Sequence, residues 1–187
     1  EFKSAQKKKS YQEYLEKLVA VRNSKQPFNV NVRTNKENYE INDKIIFNIE
    51  TDRDGYLTLL DINPNGDITV IFPNKFHRDN FIRAGKTTQV PSPSYGFEFH
   101  LQGPAGLERI KAIVTLNKIS LLALDLDDGF HNVKRGTPLG TRTIVALATQ
   151  VDSIDSSSWS ETYSEIFIFN EGERYTRGSR KIPLLEQ

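Results

Sequence analysis

Between Asp61 and Asp67 the chain reads Asp-Ile-Asn-Pro-Asn-Gly-Asp. Oxygen-bearing side chains at loop positions 1, 3 and 5, followed by glycine at 6, form the first half of an EF-hand calcium loop. A complete loop also needs a bidentate glutamate at position 12, and that position is Phe72. Two of the three early oxygen donors, Asn63 and Asn65, are neutral amides, and the flanking segments alternate like strands rather than helices. The competing reading is a hairpin turn, with Pro64 setting φ near about −65° and Asn65-Gly66 supplying positive φ. The turn is the reading adopted, and no metal ligand set is assigned.

Other chemistry-bearing residues are sparse. Asp125, Asp127 and Asp128 precede Gly129 and form a second acidic cluster, read as a solvated turn rather than a cation site. His100 falls out of phase with Phe97, Phe99 and Leu101, which places it on a wetter face, while His77 and His131 fall in loops. A hydrolytic triad needs a serine, a histidine and an orienting carboxylate. No G-x-S-x-G elbow, zinc-binding H-E-x-x-H, phosphate loop or dinucleotide fingerprint is present. With no cysteine, thiolate metal sites, disulfides and cysteine nucleophiles are excluded as well. The expectation is a protein without catalytic residues or cofactor. Its enzymatic alternative acts on glycans, through two carboxylates about 5–9.5 Å apart near the loop from Phe72 to Phe81.

That loop is the best candidate for binding. Phe76, His77, Arg78 and Phe81 interleave aromatic and basic groups, a mixture that can stack on a partner. The reading set against it, and preferred, is that Phe72 and Phe81 are buried anchors of a long loop. Trp159, the single tryptophan, is expected to cover one end of the core rather than to form an exposed platform.

Period-2 alternation dominates the elements that must position these residues. Strands are expected around 28–32, 44–50, 56–61, 67–72, 87–90, 97–102, 109–116, 143–149 and 164–169, separated by Gly, Pro, Asn and Asp. Apolar residues of both parities between Gly55 and Leu60 mark a central strand covered on both faces. Ahead of them, Tyr11, Tyr14, Leu15, Leu18 and Val19 form the stripe of an amphipathic helix over Ser10–Arg22, with Ser10 and Glu13 as a capping box. The expected fold is mainly β: an Ig-like antiparallel β-sandwich over 27–170, preceded by a tail and helix (1–26) and followed by a polar tail (171–187). The stretch 117–140 is expected to hold a strand or helical turn and then a long loop.

The 25 basic and 24 acidic residues leave a net charge of +1, so overall charge implies no nucleic-acid partner, and Lys7, Lys8 and Lys9 are read as a solvated tail. No apolar run approaches the roughly 20 residues of a transmembrane helix. The chain starts Glu1-Phe2-Lys3 without methionine, as expected of an excised or processed form.

The succession Tyr39 to Asp43, "FNIETDRDGYLTLLDINPNGDITVIFPN", Asn80 to Gly85, "GLERIKAIVT" and then Trp159 resembles a bacterial domain-of-unknown-function family. That family is marked by a D-G-Y-L-x-L strand, an N-x-x-G turn and an F-P-N loop, and the resemblance spans roughly residues 28–170. It implies a β-sandwich found C-terminal to caspase-like peptidase or Ser/Thr kinase domains and in exported or lipid-anchored envelope proteins, with no established catalytic residues. It also implies architectural roles: Gly55 and Gly66 for backbone geometry, Tyr56 and Phe72 for packing, Pro73 and Asn74 for loop closure. The expected function is a non-catalytic binding or protein-interaction module, an accessory domain of an envelope-associated, periplasmic protein. The alternative is a cytoplasmic regulatory domain of a caspase-like peptidase or kinase system.

Overall fold

The computed structural model describes residues 22–118, 131–133 (backbone only) and 153–173. The chain is mainly β in these residues. Its strands are β1 (Val30–Thr34), β2 (Asn38–Glu40), β3 (Lys44–Ile45), β4 (Phe47–Thr51), β5 (Gly55–Ile62), β6 (Ile68–Phe72), β7 (Phe81–Ile82), β8 (Thr88–Val90), β9 (Phe99–His100), β10 (Gly106–Thr115), β11 (His131–Val133) and β12 (Trp159–Phe169). The larger sheet runs β11-β6-β5-β10-β12-β2, with β7 also pairing β5; a second sheet runs β1-β4-β8, and β3 pairs β9. All pairings are antiparallel except β12 with β2.

Strand parity explains how the sheets pack. On β10, Ile110, Ala112 and Val114 share one face and meet Leu57 and Leu59 of β5 and Ile166 and Ile168 of β12. This face forms one core with Val32, Phe47, Ile49 and Val90 of the smaller sheet. Leu60, Ile62, Ile68, Val70 and Ile113 have the opposite parity and are also buried, although they lie outside that core. The middle of the larger sheet, β5 with the adjoining parts of β6 and β10, is thus buried on both faces, as the mixed parity of β5 implied, whereas Leu107 and Tyr163 farther out are exposed.

Several boundaries differ from the sequence reading. The strand expected over 44–50 is two, because the chain changes sheets at Ile46: β3 pairs β9, and β4 pairs β1 and β8. Asn35 bridges the break, its Oδ1 accepting the Ile46 N–H at 2.8 Å and its own N–H reaching the Ile46 carbonyl at 3.1 Å. β12 begins five residues before the expected Ser164, since Trp159, Thr162 and Tyr163 are good strand formers that polar neighbours disguised. The segment 97–102 yields only Phe99–His100, and β2 and β7 were not anticipated. The helix expected over Ser10–Arg22, the Asp125, Asp127 and Asp128 cluster, the strand over 143–149 and most of the C-terminal tail lie outside the described residues.

Gly55 is required by close approach. A Cβ there would sit 2.7 Å from Val114 Cγ1 and 2.8 Å from the Thr115 carbonyl oxygen, and the backbone atom cannot move aside without breaking the β5–β10 ladder. Gly55→Ala is therefore expected to destabilise the fold by about 1–3 kcal/mol, the usual cost of forcing extra volume into a packed site. Urea unfolding checks this, and an unchanged midpoint would contradict the close approach.

Candidate functional site: a carboxylate pair in a cavity between the sheets

The register of β5 and β10 places Asp61 opposite Ile110, and Glu108, two residues before Ile110 on the same face, diagonally across from Asp61. Both carboxylates line a cavity of about 320 Å³ whose apolar wall includes Phe47, Ile71, Phe99 and Ile110. Glu108 is only 3% exposed. Burial, then its hydrogen bond to Asp61 and the charge there, push its carboxyl up to about 9. Burial also raises Asp61, to about 6, against the lowering effect of the same hydrogen bond. At neutral pH the pair therefore shares one proton, which Glu108 carries and donates to Asp61. Asp61 is half-buried as a residue, but its Oδ1 is shut off from solvent, and apart from the Glu108 carboxyl no group of the described residues is placed to donate to it.

The mouth of the cavity carries Glu98 and His100. His100 is exposed, as its phase implied; its Nδ1 lies 3.0 Å from the Asn42 carbonyl and its Nε2 3.3 Å from Glu98. Glu98 also pairs with Lys44. The hydrogen bond to Asn42, then that to Glu98, raises the His100 pKa.

Asn63 to Asp67 form the hairpin turn. Asn63 Oδ1 accepts the N–H groups of Asn65 at 3.0 Å and Asp67 at 2.9 Å, and Gly66 takes φ of 82°. The amide oxygen a cation would need is thus used by the turn itself. Among the described residues no group of three or more His, Cys, Asp or Glu is placed to hold a metal ion.

The loop between β6 and β7 is pinned from within. Asn74 is fully buried; its amide donates to the Ile71 carbonyl at 2.9 Å and its Oδ1 accepts the N–H groups of Phe76 and His77, each at 3.0 Å. At the far end, Asn80 donates from its side chain to the Leu57 carbonyl at 2.8 Å. The loop thereby exposes Phe76 (52%), Phe81 (40%) and Arg78, whereas His77 is half-buried and stacks on Tyr95 with centroids 3.7 Å apart. Phe72 is the buried anchor that the alternative reading expected, at 1% exposure. Phe81 is not: it leans edge-on against Tyr56 at 5.4 Å, because at an edge pairing of only two residues the face opposite Ile82 remains open. Lys75 and Arg83 lie over the Phe76 and Phe81 rings at 5.2 and 5.8 Å. Trp159 is buried, but outside the main core.

Sequence reasoning missed Glu108. The signal was present, since Glu108 holds the inward parity of Ile110, Ala112 and Val114, where an acid is out of place. Asp61 was noticed for its place before the turn, whereas its chemical environment comes from β10.

Fold and site together define a mainly β domain with antiparallel sheets that enclose a carboxylate-bearing cavity. Residues 38–118 match the model of a family described as Domain of unknown function (DUF4384), a shorter stretch than the 28–170 of the resemblance and one that contains both Asp61 and Glu108. No curated protein and no solved structure gives a significant match.

Proposed function

We propose that this chain is a non-catalytic binding module, an Ig-like sandwich that presents the loop from Lys75 to Arg83 to a protein partner, within an envelope-associated bacterial protein. The observation that carries this reading is the exposure of Phe76 and Phe81, each beside a cation, on a backbone fixed by the buried side chains of Asn74 and Asn80. Exposed aromatics cost little ordering entropy when their loop is already rigid, which suits them as interface anchors. The carboxylate pair supports the same reading. Two carboxyls joined by a hydrogen bond are closer than the roughly 5–9.5 Å that retaining or inverting glycosidases need, and they leave no room for a sugar between them. The envelope setting rests on the family resemblance.

The test compares proteins recovered from a bacterial envelope extract by the intact chain and by a Phe76→Ala, Arg78→Ala double variant of equal melting temperature. A partner retained by the first and lost by the second is the expected result. Equal recovery would overturn the loop as the binding surface.

A further inference from the structure

We propose that the outer edge of β1 receives an extended segment of a partner protein, which adds to the smaller sheet as a further strand and sets an acidic side chain across from Arg33. The parity of the β1–β4 ladder fixes which backbone groups are available. In an antiparallel pair, residues that exchange N–H and C=O groups with the neighbour alternate with residues that turn theirs away from it. The Asp52 N–H donates to the Asn29 carbonyl at 3.2 Å and the Asn35 N–H to the Ile46 carbonyl at 3.1 Å, so the odd-numbered residues of β1 face β4. Val30, Val32 and Thr34 therefore each aim an N–H and a C=O away from β4, to a side where no described strand lies. Val30 and Thr34 are half-buried, and Val32 turns its side chain into the core.

Open edges are normally blunted, because their unpaired backbone groups template pairing with another chain. Two other edges show how. On β2 the outward residue Glu40 is capped by Asp43: the Glu40 N–H donates to Asp43 Oδ2 at 3.1 Å, and the Asp43 N–H donates to the Glu40 carbonyl at 3.0 Å. On β8 the ladder leaves only Gln89 turned outward, and Pro91 follows the strand. β1 instead keeps five residues in unbroken register, with no proline and no bulge. Such an edge suits strand addition, in which main-chain hydrogen bonds give affinity and alternate side chains give specificity.

The side chains beside the edge choose the occupant. Arg33 is exposed on the solvent face of the sheet and makes no ion pair among the described residues. An added strand places one residue directly opposite it on that face, where an opposite charge is favourable. The residues flanking that acid continue the inward parity of Val30 and Val32 and are therefore apolar. A second copy of the chain fits less well. Two β1 strands paired antiparallel about Val32 would set each Arg33 opposite an Asn31, and bring the two Arg33 side chains diagonally within about 7–8 Å, like charge on like.

Amide hydrogen exchange, followed by NMR on the intact chain, tests the edge and its occupant together. In the free chain the amides of Val30, Val32 and Thr34 should exchange about tenfold or more faster than those of Asn31 and Arg33, which the β4 ladder holds. The probe is the capped peptide Gly-Ser-Thr-Val-Glu-Val-Thr-Ser-Gly at up to millimolar concentration, with a counterpart carrying lysine for glutamate. Saturable protection of the three amides is expected with the glutamate peptide, with affinity about fivefold weaker for the lysine peptide, and Arg33→Glu should reverse that order. Thr34→Pro removes one outward N–H and spares the ladder to β4, so it should keep the parent melting temperature while weakening the glutamate peptide by about tenfold. Slow exchange of all three amides in the free chain, or no protection gained from either peptide, would overturn the proposal. Protection that grows with the concentration of the chain itself would also overturn it, and would assign the edge to a second copy. The edge belongs to the smaller sheet and the 75–83 loop to the larger. The Phe76→Ala, Arg78→Ala variant should therefore bind the glutamate peptide as the parent chain does, and neither surface decides the fate of the other.

Discussion

Lys111→Met should lower the unfolding free energy by about 3–5 kcal/mol, the usual cost of leaving one member of a buried ion pair without the other. Lys111 Nζ lies 3.5 Å from Glu161 Oε2, and the two side chains are 2% and 5% exposed. Methionine keeps the length and apolar volume of the lysine stem, so packing changes little and the lost charge dominates. Glu161 would keep the Gln26 Nε2 donor at 3.1 Å, but no compensating charge from Lys111. Adding Glu161→Gln should recover most of the loss, since the uncompensated charge goes while an oxygen for Gln26 stays. Burial, partly offset by Glu161, already lowers the Lys111 pKa, a sign that desolvation outweighs attraction at this site. Urea unfolding of the two variants checks both statements. A single variant as stable as the parent chain would show that Glu161 is solvated after all.

How much of this was legible in the sequence depends on the range of the interaction involved. The Asn63-Pro64-Asn65-Gly66 turn was readable because its geometry is set by four adjacent residues and their own amides. The double burial of β5 was readable because parity is local to one strand. The sheet change at Ile46 was not, since it depends on Asn35, eleven residues away, replacing a strand partner. Nor was the pairing of Asp61 with Glu108, 47 residues apart in sequence: each acid alone is ordinary, and only the register of β5 on β10 makes them neighbours. The loop was half legible. Its composition marked Phe76, His77, Arg78 and Phe81 alike as able to stack on a partner, but the stacking of His77 on Tyr95 depends on a segment beyond β8 that periodicity did not connect with it.

β10 thus carries a buried ionisable group on each face: Lys111 toward Glu161 and Glu108 toward Asp61. The two pairs differ in kind. The first joins opposite charges, whereas the second joins like charges and settles the conflict by keeping a proton.

That retained proton makes stability depend on pH in a direction opposite to that of an ordinary salt-bridged acid. Both carboxyls are raised in the folded state, Asp61 to about 6 and Glu108 to about 9, from the 3.8 and 4.5 ordinary for these side chains. Between about pH 4.5 and 6 the folded chain therefore holds up to two more protons than the unfolded chain, and between about 6 and 9 it holds one more. Stability falls with pH wherever the folded state binds the excess, by about 1.4 kcal/mol per pH unit for each proton. The contribution is fully present below the unfolded values and is lost as pH rises through the folded ones. In Glu108→Gln the side-chain amide can donate to Asp61 in place of the carboxyl, without a proton to lose. The unfolding free energy of the parent chain relative to this variant, followed by urea unfolding, should then decline steadily from pH 6 to 9, an accumulated difference on the order of a few kcal/mol. Glu98, paired with Lys44, and His100 at the cavity mouth, and Lys111 on the far face, are present in both proteins, so their contributions largely cancel in the comparison. Parallel profiles for the two proteins would mean that Glu108 is ionised throughout, and that the pair shares no proton.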